Sequence, residues 1–251
     1  LLTLADWSRR TNGPWPGGPT APVVPPPEPS GHRARVPGRI VHEISTVGAV
    51  YNAGNLVETP LFVRALYHYF QATGDRRLLR DLYPLCKEGV LGYVLAECDP
   101  DGDLCASGRS IVETADMHSG LETLDIACYT WEALTFLAQL APHANDVPAV
   151  RDYLDRARRL ADLINREWWM EEEGLFADLR GATAEMAAVM EGLRHRQGDP
   201  AAIADLERQL ARHQQQEADD PSLAGRDWPW LRRHWIGVVP MEVGVAEPEK
   251  A

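Results

Sequence analysis

The stretch "ETPLFVRALYHYFQATGDRRLLRDLYPLCKEGVLGYVLAE", residues 58–97, decides the fold. Thr59 followed by Pro60 reads as a helix start: the hydroxyl caps, and proline takes the first helical position, where its missing N–H costs nothing. Phe62, Ala65, Leu66, Tyr69 and Phe70 then fall on one face of a 3.6-residue period, and Gly74 ends the run. Asp75 caps a second element in which Leu78, Leu79 and Leu82 precede a break expected at Pro84. Leu85, Val90, Leu91, Val94 and Leu95 carry the apolar stripe onward. Two amphipathic helices joined by a short turn make a helical hairpin, and the polar turn "DPDGD" closes it.

The same punctuation recurs downstream. Leu121, Leu124, Cys128, Leu134 and Leu137 predict a helix over 120–140. Val150, Tyr153, Leu154, Ala157, Leu160, Ala161 and Ile164 predict another over 148–169. "EEEGLFAD" is a turn with room for one short strand. Helices over 182–196 and 200–215 follow, the latter rich in Gln, Arg and Glu and therefore mostly solvated. Paired helices with few strand-like alternations define an all-α architecture of helical hairpins, whose functional residues belong in the loops. Upstream, 14–38 is too rich in Pro and Gly for a helix or central strand and reads as an extended insertion or linker; 1–13 reads as the tail of a helix.

A chain of 251 residues is long enough to bury a sizeable core. Its formal charge of -12 argues against nucleic acid or an anionic membrane as partner, because either needs a basic face. No apolar run approaches the roughly 18 residues of a spanning helix, and the first residues lack a signal-peptide pattern, so a soluble cytoplasmic protein is expected. Cys86, Cys98, Cys105 and Cys128 include no C-x-x-C pair and read as buried free thiols, and no metal or cofactor is expected. The chain has no initiating Met and is expected to be a piece of a longer protein.

Three loops combine carboxylates with glycines. The first, "GRIVHEISTVGAVYNAGNLVETP", carries His42, Glu43, Asn52, Asn55 and Glu58; the third is "HWIGVVPMEVG". The second, "DPDGDLCASGRSIVETADMHSGLETLD", opens like a calcium loop at Asp99, Asp101 and Asp103. It has Leu104 and Ser110 where that loop needs Gly and Glu, which favours a polar turn. Glu113 or Asp116, beside apolar Ile111, Val112 and Met117, is a general-acid candidate if burial raises its pKa; the alternative is a capping and solvated role. Trp168, Trp169, Trp228, Trp230 and Trp235 offer flat faces suited to sugar rings or to core packing. Nucleophile-elbow, P-loop and dinucleotide-binding patterns are absent.

Taken in order, "GRIVHEISTVGAVYNAGNLVETPLFVRALYHYFQATGD", "DPDGDLCASGRSIVETADMHSGLETLDIACYTWEAL", "WWMEEEGLFAD" and "HWIGVVPMEVG" resemble the bacterial amylo-α-1,6-glucosidase or glycogen-debranching type of glycoside hydrolase. The resemblance covers roughly 40–244, without the Gln-rich helices, and extends to the superfamily of glucoamylases and processing α-glucosidases. It implies a six-hairpin (α/α) toroid, here about half to two-thirds complete, over 39–251 with 180–227 a peripheral insertion. It also implies an inverting mechanism on an oligosaccharide or α-glucan, with two carboxyl groups about 6.5–9.5 Å apart. The loop "SIVETADM" matches the one that carries the general acid, placing it at Glu113 with Asp116 second. Asp125 resembles a residue that holds sugar hydroxyls. His42, Glu43, Asn52, Asn55 and Glu58 would line the nonreducing-end subsite, with Trp235 and Glu242 contributing from the later loop.

In such enzymes the general base sits near the end of the toroid, beyond the residues present. The chain alone is therefore expected to be inactive and to self-associate through the open edge of an incomplete ring. Two other readings are a noncatalytic carbohydrate-binding module, and a sugar isomerase or epimerase with His42, His118 and His234 meeting in one cleft.

Overall fold

The hairpin of 58–97 forms, with different ends from those expected. In the computed structural model, which describes residues 1–19, 36–45, 50–52, 54–112, 121–196 and 198–251 and omits the side chains of Tyr51 and Asn52, α2 spans Glu58–Thr73. Its N-cap is Val57, without a side-chain cap bond, so Thr59 is not the cap. Thr59 is buried, and its Oγ1 instead accepts from the Ile40 backbone N–H at 3.2 Å. Pro60 still lies within the first turn, where no intrahelical partner is lost. Gly74 closes α2 in the left-handed conformation, φ 65°, donating its N–H to Phe70 O.

Asp75 caps α3 (Arg76–Glu88) as expected, its Oδ1 accepting from the N–H groups of Arg77 and Leu78 at 3.0 Å each. The break expected at Pro84 does not occur: α3 runs through it and continues as a π-helix over Gly89–Glu97. An internal proline costs about 3 kcal/mol, whereas each fully buried large apolar side chain returns about 1.5–3 kcal/mol. Leu79, Leu82, Leu85 and Cys86 are all buried around Pro84. Tyr83 Oη donates to Asp146 Oδ2 at 2.9 Å and lies 3.1 Å from Tyr153 Oη, while Lys87 Nζ meets the same carboxylate at 2.6 Å. Anchors on both sides of Pro84 outweigh its local cost.

The chain divides into two units. Leu1–Ala106 and Tyr129–Leu160 form the first, Ser107–Cys128 and Ala161–Ala251 the second. The first holds α1 (Leu2–Asn12), the two-stranded pair β1 (Glu43–Ile44) and β2 (Val50–Asn52), α2 and α3. Its core gathers Val63, Leu66, Leu79, Leu85, Val90, Val94, Leu134, Leu137 and Tyr153, all fully buried. Gly54, at φ 128°, passes so close to the preceding loop that a Cβ would lie 2.1 Å from Ile40 O. Gly54 thus serves a close approach of backbone to backbone.

Helices α4 (Leu124–Leu140) and α5 (Val150–Glu167) each continue from one unit into the other. Both are shorter than the periodicity predicts: short strands lie at the start of α4 and beyond the end of α5, and a 3₁₀ turn, Val147–Ala149, precedes α5. Glu122–Thr123 is β3 and Trp169–Met170 is β4. In the second unit β4 pairs with β5 (Leu175–Phe176) across the "EEEG" turn. Strands β3, β6 (Leu179–Gly181) and β7 (Trp228–Trp230) form an antiparallel sheet in the order β3-β6-β7. Gly181 pairs with Trp228, so α6 (Thr183–His195) and α7 (Pro200–Asp219) leave the sheet and return at one rung. Gln209 of α7 holds the returning chain with two 2.9 Å bonds, to Leu231 O and from Leu231 N. A short α8 (Val239–Val243) follows. The fold is mostly helical with a few small strands.

Candidate functional site

In the first unit, the segment leading to His42 is fixed by side chains rather than by regular pairing. Asn12 Nδ2 donates to Arg39 O at 2.8 Å, and Arg39 returns two bonds to Asn12 Oδ1, at 3.0 and 2.7 Å. Val41 N–H donates to Ser8 Oγ at 3.1 Å. So held, His42 donates from Nδ1 to Glu58 Oε1, in the first turn of α2. Asn55 Nδ2 donates to the same oxygen at 3.2 Å, and Tyr93 Oη donates to Asn55 O at 3.4 Å. Burial pushes the Tyr93 phenol well above its usual pKa, so it stays a donor. Glu58 Oε2 is buried and has no hydrogen-bond partner among the described residues.

Three residues assigned by resemblance to one sugar subsite therefore meet: half-exposed His42, buried Asn55, and Glu58 between them. Glu43 lies on β1, exposed, in register with Asn52 of β2. Tyr93 and Arg39, which join the set from the π-helix and the loop, were not singled out from the sequence. An apolar π-helical stripe gives a tyrosine no mark of a polar task.

In the second unit Asp125 is fully buried in the first turn of α4. Its Oδ2 accepts from Ser110 Oγ at 3.0 Å and Ile111 N at 2.8 Å, and Ser110 Oγ accepts from Val112 N at 3.0 Å. Through Oδ2 Asp125 fixes the segment that leads to Glu113, while its Oδ1 is buried with no hydrogen-bond partner among the described residues. Glu113, Asp116 and His118 lie outside the described residues.

Trp235 and Glu242 are exposed, but not in one loop as expected: Trp235 opens the 3₁₀ turn Trp235–Val238 and Glu242 lies on α8. The loop before Trp235 is held by buried Asp178, which accepts from the N–H groups of Arg232, Arg233 and His234 at 2.6, 2.8 and 2.9 Å. Arg233 takes a left-handed backbone, φ 59°, within this cradle. Asp178 was read only as the end of a turn, and no spacing rule marks a carboxylate whose partners lie more than fifty residues away. A buried ion pair, Arg180 Nη1 to Glu122 Oε2 at 2.7 Å, ties β6 to β3.

Of the five tryptophans between 168 and 235, Trp168 and Trp230 are fully buried and Trp228 nearly so. Trp228 is stacked on His213 at 4.4 Å, with the Arg226 guanidinium 5.2 Å from its ring centroid, so core packing accounts for these three. Asp99 forms a polar turn, accepting from Gly102 N at 2.9 Å and Leu104 N at 3.0 Å. Leu104, at φ 86°, adopts there the conformation that glycine usually supplies. Cys86, Cys105 and Cys128 are buried, and Cys98 is half-buried.

No protein-family model matches this chain, and a search of curated proteins finds no match either.

Proposed function

We propose that the chain belongs to an inverting glycoside hydrolase of the (α/α)-toroid type that acts on α-glucosidic bonds. His42, Asn55 and Glu58 hold hydroxyls of the terminal sugar, and Glu113, with Asp116 second, is the general acid. One observation carries the reading: residues 42, 55 and 58, assigned to one subsite from their motifs, form one hydrogen-bonded set at the start of α2. The set combines an amide, an imidazole and a carboxylate. A sugar needs that mixture, since each hydroxyl both donates and accepts. The buried Glu58 Oε2 is an acceptor that a hydroxyl would satisfy. Asp125, through Ser110 and Ile111, steadies the approach to Glu113. An acid at that position would protonate the leaving oxygen while a second carboxylate, about 6.5–9.5 Å away, activates water.

Calorimetric titration with maltotetraose tests the reading. Saturable binding is expected, weakened about tenfold by Asn55→Ala, the loss of one or two hydrogen bonds. A wild-type protein that takes up no heat at millimolar sugar contradicts it. Saturable binding combined with turnover that Glu113→Gln leaves unchanged would place the acid elsewhere. Saturable binding without turnover would favour a noncatalytic carbohydrate-binding module.

A further inference from the structure

We infer that His213 is an acid-sensitive clasp in the second unit: with its ring neutral it holds the α6–α7 hairpin against the β3-β6-β7 sheet, and with its ring charged it lets the hairpin open. Along α7 only Leu206, Gln209 and His213 are buried, three positions on one helical stripe. Gln209 is tied to Leu231, just beyond β7. One turn further on, His213 enters an aromatic slot: its ring stacks on Trp228 at 4.4 Å and 20°, and meets Trp230 edge-on at 4.9 Å and 88°. Trp228 pairs with Gly181, the rung at which the hairpin leaves the sheet and returns to it. Glu217, another turn along, accepts from Trp228 Nε1 at 3.0 Å and from Thr183 Oγ1 at 3.0 Å, which ties the same root to the start of α6. The imidazole is thus the wedge at the root of the hairpin, and what expels it loosens α7.

A neutral ring suits this slot and a charged one does not. Nδ1 lies 3.0 Å from Gln216 Oε1, to which a neutral ring with its proton on Nδ1 donates. The residue is 5% exposed, and burial is the largest influence on its titration, holding its pKa below the ordinary value. Arg212 pushes the same way, while Gln216, the Pro229 backbone and Glu217 favour the charged ring without prevailing. The other charges nearby answer one another around a cavity of about 270 Å³ that reaches the ring. Arg226 and Arg166 both pair with Glu167 at 2.8 Å, Arg212 with Glu172 at 3.1 Å and Arg233 with Glu173 at 2.9 Å, and Glu171 accepts from the Trp169 indole at 2.7 Å. When the hairpin opens, the ring meets water and titrates near 6.5 as an unfolded histidine does. Closure is therefore fully favoured above about pH 6.5, and each pH unit below it raises the opening constant by up to about tenfold until the folded pKa is reached.

Hydrogen–deuterium exchange of the whole chain at about pH 5.5 and about pH 7.5, each corrected for intrinsic exchange, tests the clasp. Peptides from α7 should lose protection several-fold at the lower pH, up to about tenfold, while those from α2 in the first unit should not lose it. His213→Phe, which keeps a flat ring in the slot, should leave α7 equally protected at both pH values. Glu217→Gln, which keeps an acceptor for Trp228 Nε1 and removes the charge, should leave the pH dependence in place. The ring C–H signal of His213 in the wild-type protein, followed by NMR across the same range, gives a reading that needs no variant, and it should titrate below about 6.5. Equal protection of α7 at both pH values in the wild type overturns the inference. So does a pH dependence that survives in His213→Phe, or a ring that titrates at or above its ordinary value.

Discussion

Asp99 shows how one side chain joins local structure to pH. Burial, together with a hydrogen bond that protonated Asp99 donates to Asp101 and the nearby charge of Asp103, raises its pKa to about 6, although the N–H groups of Leu104 and Gly102 pull the other way. An unfolded aspartate titrates near 4, so between about pH 4 and 6 the folded chain binds more protons than the unfolded one. Stability from this group is therefore present below pH 4 and lost as pH rises to about 6. Urea unfolding of wild type and Asp99→Asn at pH 4.5 and 7 should show wild type losing ground to the variant at the higher pH; parallel curves would refute this. Thr59 makes a second case, since its hydroxyl is the acceptor for buried Ile40 N–H. Thr59→Val keeps the shape and orphans that donor, so a loss of about 1–3 kcal/mol is expected in the same assay, and Thr59→Ser should recover most of it.

At the scale of elements, propensity and packing competed, and the residue type decided which could be read in advance. Gly74 and Asp75 act locally: a left-handed stop and a side chain reaching its own next turn are visible in sequence. Gly74→Ala, with open space around the site but φ 65°, should cost about 1 kcal/mol in thermal unfolding. A neutral result would mean that the C-cap does not constrain the hairpin. Pro84 was misread because its local penalty is offset by partners such as Asp146 and Tyr153, which no periodicity reveals. The ends of α4 and α5 were overrun for a related reason. Two-residue strands such as Glu122–Thr123 are too short to show alternation and exist through pairing with Leu179 and Arg180. Within the candidate site, His42, Asn55 and Glu58 were legible because their motif is contiguous. Tyr93 and Arg39 join through contacts distant in sequence, and Asp178, in the second unit, holds its own loop through partners equally distant.

Across the whole molecule, charge and hydropathy restrict the partners. A net charge of -12 disfavours polyanions, and no helix among the described residues is long and apolar enough to cross a membrane. A neutral, hydroxyl-rich ligand faces neither objection, and the set at the start of α2 offers it donors and an acceptor. The most direct measurement is a titration of ¹⁵N-labelled protein with maltotetraose, recording the side-chain signals of His42 and Asn55. The Asn55 amide and the His42 ring should shift together and saturate on one binding curve, and Glu58→Gln should weaken both responses in parallel. Signals of His42 and Asn55 that remain unmoved while the sugar binds elsewhere, or fails to bind, would contradict it.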